Sequence, residues 1–142
     1  MTARPALTRQ ATCVALGAGA VLIEGQPGTG KSTLALELID RGAVLVGDDG
    51  VVLDVREGRL VASPHPKTRG LLEVRNLGLL PFPCRESAPV ALVIALDPSA
   101  PRFIERPERL DIAGLALPLV RLWPQAPAVK AELALRRYGL QF

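Results

Sequence analysis

Residues 25–33, GQPGTGKST, constrain this chain more than any other stretch. Gly25, Gly30, Lys31 and Ser32 fill every fixed position of the pattern G-x-x-x-x-G-K-[ST], and that pattern works only where a strand feeds the loop and a helix leaves it. Both flanks are legible. Residues 21–24 are a short apolar run of the kind buried in a sheet, and residues 31–41, KSTLALELIDR, read as a helix stopped by Gly42. Leu34, Leu36, Leu38 and Ile39 do not make one clean stripe, which predicts a helix packed on more than one side. Loop amides turned inward and the positive end of a helix make an anion site. The expected cradle is Gly25, Gly28, Thr29, Gly30, Lys31, Ser32 and Thr33. Lys31 reaches the terminal phosphates of a nucleotide such as ATP as a point charge, and the Ser32 hydroxyl is a ligand for Mg²⁺.

Upstream of the cradle, residues 14–16 and 21–24 read as a strand pair joined by a tight turn at Gly17 and Gly19. Arg4, Arg9 and the apolar run after them imitate a secretory leader. That reading is set aside, because cleavage near Ala20 would remove the strand that feeds the loop, and the run is too short to span a bilayer. Downstream, residues 43–46 form another apolar run that ends in GDDG, and residues 51–62 read as a hairpin around Glu57 and Gly58. HPKTRG is a polar connection, with His65 as a loop residue. In LLEVR, Leu72 and Val74 share one strand face and Leu71, Glu73 and Arg75 the other. Residues 90–97, VALVIALD, form the clearest buried strand. Nine of the thirteen prolines follow residue 80, which cuts the second half into short segments such as RLDI and LPLVRL. The last helical stretch is residues 128–137.

The acidic residues decide what a phosphate cradle does. Asp48 and Asp49 follow an apolar strand, where such proteins place a carboxylate for Mg²⁺ or for a hydroxyl nucleophile. Asp48 is the candidate base and Asp49 the candidate metal group, although GDDG also suits a plain turn. Glu73 suits either a surface ion pair with Arg75 or a second carboxylate near the metal. Composition narrows the partners. A chain of 142 residues with 49% hydrophobic residues is the size of one domain, residues 1–142. A formal net charge of +3 without a clustered basic face argues against nucleic acid as partner, and nothing argues for a membrane. Cys13 and Cys84 lack metal-ligand spacing and read as reduced thiols.

GQPGTGKSTLALELIDRGA, LVGDD and GLLEVRNLGLL together resemble the catalytic C-terminal domain of HPr kinase/phosphorylase, in the short form without the family's N-terminal domain. The resemblance implies an α/β P-loop domain with a mixed sheet, related to phosphoenolpyruvate carboxykinase. It also implies a cytoplasmic bacterial homohexamer that uses ATP and Mg²⁺ to phosphorylate a serine of a small HPr-like phosphocarrier protein, and that can run the reverse phosphorolysis. By position it implies Lys31 and Ser32 on the nucleotide phosphates and Mg²⁺, Asp48 as catalytic base, Asp49 and Glu73 as metal groups, and Arg75 orienting the transferred phosphate. Departures are equally visible. Gln10 in RQATCVALG stands where the family carries a histidine and cannot titrate near neutral pH. Asn76 stands where the family carries a glycine, a replacement that suits a left-handed backbone. Two other functions fit the residues: a nucleotide-binding sensor without turnover, motivated by Gln10 and Asn76, and a small-metabolite P-loop kinase, for which the stretch after Arg75 lacks an Arg-rich lid.

Overall fold

In the computed structural model, which describes residues 6–142, eleven strands and two helices follow in the order β1 (Leu7–Arg9), β2 (Thr12–Leu16), β3 (Gly19–Gly25), α1 (Lys31–Asp40), β4 (Val44–Gly47), β5 (Val51–Arg56), β6 (Arg59–Pro64), β7 (Leu71–Val74), β8 (Gly78–Pro81), β9 (Ala88–Leu96), β10 (Glu108–Ile112), β11 (Leu115–Leu122) and α2 (Ala128–Tyr138). Nine strands form one mixed sheet, and β7 and β8 form a separate two-stranded ribbon. The fold class implied by the resemblance, α/β with a mixed sheet, is the one observed.

The sheet is organised around β9, whose residues 90–96 are all buried. A strand covered on both faces must be apolar throughout, and VALVIAL is. β3 runs parallel along one side of β9 and β11 runs parallel along its far half on the other. β6 pairs antiparallel only with Ala88 and Pro89, at the start of β9. The sheet therefore splits at β9 into the β6–β5–β1 arm and the β11–β10 hairpin. Alternation along the strands feeds two cores. Val21 and Ile23 of β3, with Leu92, Ile94 and Leu96 of β9, pack under Leu34, Ala35 and Leu38 of α1 and Ala131 and Ala134 of α2. Ala20 and Leu22 point the other way, into a core completed by Leu53 and Leu60 of the hairpin and Ile112, Leu117 and Leu119 of β10 and β11. α1 touches the sheet, β7 and α2, which explains its broad apolar surface.

The topology places the cradle and the acidic pair side by side. β2 is antiparallel to both β3 and β4, so β3 and β4 run in the same direction and end at the same sheet edge. The loop after β3 and Asp48 after β4 therefore meet at the carboxyl ends of parallel strands, where α/β sheets bind their ligands. β2, running the opposite way, starts at that edge, with Thr12 opposite Ile23 of β3.

One expectation changes. Arg75 does not lie on the strand face of Glu73: β7 ends at Val74 and Arg75 enters the hairpin turn, and no ion pair joins Glu73 to Arg75 among the described residues. The short segments RLDI and LPLVRL lie in the paired strands β10 and β11. Pro118 is tolerated because it pairs with Arg109 just before β11 reaches its ladder with β9 at Leu119. Asn76 has φ 77°, in the left-handed region that the asparagine was expected to permit.

Cys13 and Cys84 are both free thiols. Cys13 is fully buried, and desolvation pushes its thiol up from 9.0 to about 12. The folded chain then keeps this proton while the unfolded chain loses it. Stability from this group should be constant below pH 9 and fall as pH rises from 9 towards 12, a slope that a Cys13→Ala variant should lose. Denaturant midpoints measured across that range check it.

Candidate functional site

The cradle is built as a helix start left open. Gly28 and Gly30 have φ 82° and 103°, conformations that turn successive amides towards one point. Gly30 is the N-cap of α1, with no side-chain cap and no acidic residue in the first turn. Among the described residues, the amides of Gly28, Gly30, Lys31 and Ser32 donate to no protein acceptor. Orphan donors at a helix N-terminus need an anion or water. Lys31 Nζ lies over the loop and donates to Gly25 O at 2.9 Å and Gln26 O at 3.5 Å. Thr29 Oγ1 donates to Gln26 O at 2.7 Å and thus stiffens the loop.

Across the cavity, Asp48 is only 4% exposed. Its Oδ1 accepts the hydroxyls of Ser32 at 2.7 Å and Thr12 at 2.8 Å, and its Oδ2 accepts the Glu73 amide at 3.0 Å. Because Ser32 spends its proton on Asp48, the lone pairs of its oxygen are left for a cation. Asp49 is exposed with φ 52°, a backbone that Asp tolerates, while the Glu73 side chain is also exposed. Gly47 makes this corner possible. A Cβ there would stand 2.6 Å from Val51 Cγ1 and 2.8 Å from Gly50 O. Gly47→Ala should therefore cost about 1–3 kcal/mol through overpacking and displace Asp48, read as a lower denaturation midpoint.

These groups enclose a cavity of about 330 Å³ lined by Gln10, Thr12, Gly25, Pro27, Gly28, Gly30, Lys31, Ser32, Thr33, Asp48, Asp49, Glu73 and Arg75. Every candidate residue named from the sequence lines it except Thr29, which borders an adjoining cavity with Arg9 and Glu24. No group of three or more His, Cys, Asp or Glu residues able to hold a metal occurs among the described residues. The donor set is instead a hydroxyl, carboxylates and anion-seeking amides, which fits Mg²⁺ brought in with phosphate oxygens and water. Sequence reading missed Thr12. Its signal was a hydroxyl at the mouth of an apolar strand, two residues after Gln10.

The chain is similar to known proteins in sequence and in fold. Residues 5–114 match the family described as HPr Serine kinase C-terminal domain. HPr kinase/phosphorylase from Nitrosomonas europaea is 36% identical over 96% of this chain and 48% of its own length. The enzymes of the same name from Cupriavidus necator and Clostridium tetani are 39% and 51% identical over 85% and 44% of this chain, and 42% and 21% of their own lengths. This chain thus spans less than half the length of these relatives. The HPr(Ser) kinase/phosphatase from Coxiella burnetii superposes with a TM-score of 0.81 at 25% identity, covering 92% of this chain and 88% of that one.

Proposed function

Since this chain belongs to the HPr serine kinase C-terminal domain family, we propose that it transfers the terminal phosphoryl group of ATP to a serine of an HPr-like phosphocarrier protein. The observation that carries this reading is the hydrogen-bonded contact between the cradle and a buried carboxylate, Ser32 Oγ to Asp48 Oδ1 at 2.7 Å. A Gly-rich turn with no phosphate to hold has no need to aim a helix N-terminus at an acidic cluster.

In this reading the orphan amides and Lys31 hold the nucleotide phosphates, with Lys31 exchanging the Gly25 carbonyl for phosphate oxygens. Ser32, Asp49 and Glu73 are the groups that would hold Mg²⁺, which when bound supplies charge neutralisation on the transferred group. Asp48 accepts the proton of the incoming serine hydroxyl, and Arg75, at the cavity wall, orients the phosphoryl group in flight. Catalysis is then mainly positioning and electrostatics. Gln10, at the same wall, keeps a hydrogen-bonding group where the family histidine would carry a proton. Phosphorolysis by this chain should therefore lack a titration near neutral pH, and a Gln10→His variant should acquire one.

Cytoplasmic location and assembly into a hexamer belong to the same proposal. No helix among the described residues is long and apolar enough to cross a membrane. The readings separate in one panel, in which ADP release is followed with ATP and Mg²⁺ alone, with an HPr-type carrier, and with small hydroxyl metabolites. ADP formed only with the carrier supports the proposal. ADP formed with a metabolite makes this a small-metabolite kinase, and nucleotide binding without ADP makes it a sensor.

A further inference from the structure

We propose that Thr12 is a positioning residue that sets the plane of the Asp48 carboxylate, so that its last free acceptor position faces the incoming hydroxyl. The proposal rests on the kinase reading above. Thr12 and Asp48, 1% and 4% exposed, are the only polar or charged residues fully buried among those described, and they are bonded to each other at 2.8 Å. Burying a hydroxyl inside an apolar strand is unfavourable unless its partner is fixed. The β2–β4 ladder shifts register between Cys13 and Val14, beginning one residue past Thr12. Irregularities of this kind re-aim side chains next to functional sites.

A carboxylate offers about four acceptor positions. Here Thr12 and Ser32 occupy both on Oδ1, and the Glu73 amide occupies one on Oδ2. One position remains, on Oδ2. The torsion that turns an Asp carboxylate is broad and soft, so its aim depends on these donors. Ser32 is half-buried on α1 with a freely turning hydroxyl, whereas Thr12 is β-branched, stiff and embedded in the sheet. Without the Thr12 hydroxyl, Oδ1 keeps one movable donor and the free position on Oδ2 loses its aim. The cradle itself is untouched, because Thr12 bonds to none of its phosphate-facing groups.

The test compares wild type, Thr12→Val, which keeps the shape and removes the hydroxyl, and Thr12→Ser, which keeps the hydroxyl. Thr12→Ala serves as a second hydroxyl-free variant if valine fails to fold. Two readouts are taken: kcat and KM for ATP with an HPr-type carrier, and the ¹³Cγ resonance of Asp48 in the protein without ligands. Removing the hydroxyl should lower kcat about 10- to 100-fold, as loss of a supporting partner does, while KM for ATP stays within about threefold and the Asp48 resonance moves. Thr12→Ser should return both to wild-type behaviour. An unmoved Asp48 resonance, an undiminished kcat, or a serine variant as impaired as valine overturns the proposal. If wild type transfers no phosphate, the kinase reading fails, and the resonance alone then decides whether Thr12 positions Asp48.

Discussion

Asp48→Asn should lower phosphoryl transfer by about 100- to 10,000-fold, the range expected when a general base is removed. The structure also says how the variant accommodates the change. The asparagine oxygen can keep the Glu73 amide bond, turning its NH₂ towards Thr12 and Ser32, whose hydroxyls can rotate and accept. The fold then survives at a cost near the low end of the range for a disturbed buried hydrogen bond, about 1 kcal/mol. Ser32, however, now spends a lone pair on the amide instead of leaving it for the cation. Two losses should appear together: a slow chemical step, and a Mg²⁺ requirement displaced to higher concentration. Single-turnover rates at several Mg²⁺ concentrations, with calorimetric melting as the control, separate them. Transfer at the wild-type rate would remove Asp48 from the role of base.

Lys31→Met should reduce kcat/KM for ATP by about 100- to 1,000-fold, comparable to deleting one preorganised donor from a transition-state site. Methionine keeps the unbranched stem but has nothing to offer a phosphate. Stability should barely move, because the only bonds lost are those to the Gly25 and Gln26 carbonyls in a half-exposed loop. Lys31→Arg should not rescue, since the planar fork of a guanidinium does not fit a place built for a compact point charge. Titration calorimetry with a non-hydrolysable nucleotide and steady-state kinetics check both variants. Unchanged nucleotide affinity in Lys31→Met would place the nucleotide elsewhere.

The parts of this protein that follow from local rules were legible in its sequence. The cradle, α1 and the buried strand β9 each carry their own signal: a fixed pattern, a helix former closed by Gly42, and an apolar run without interruption. The hairpin turn at Glu57 and Gly58 was equally local, with φ 52° and 75°. β10 and β11 were harder, because Pro118 breaks the local pattern and the strands form only by pairing with each other and with β9. The same distinction runs through the site. Cavity-lining residues such as Gly28, Lys31, Ser32 and Asp48 were found by motif, and Asn76 was correctly read as a left-handed position. The Thr12 contact was invisible, since it links residues 36 apart in sequence through an antiparallel strand that returns to the cradle. Glu73 was read as a side chain, whereas its backbone amide is what reaches Asp48.

The cradle and the acidic corner line one cavity, and the activity proposed for it is phosphorylation of a protein serine. The most direct measurement is tandem mass spectrometry of an HPr-type carrier after a single turnover with this chain, ATP and Mg²⁺. One phosphate on one serine is expected, absent with Asp48→Asn or Lys31→Met in the same reaction time. ADP released with the carrier unmodified, or nucleotide bound with no ADP formed, would contradict the proposal.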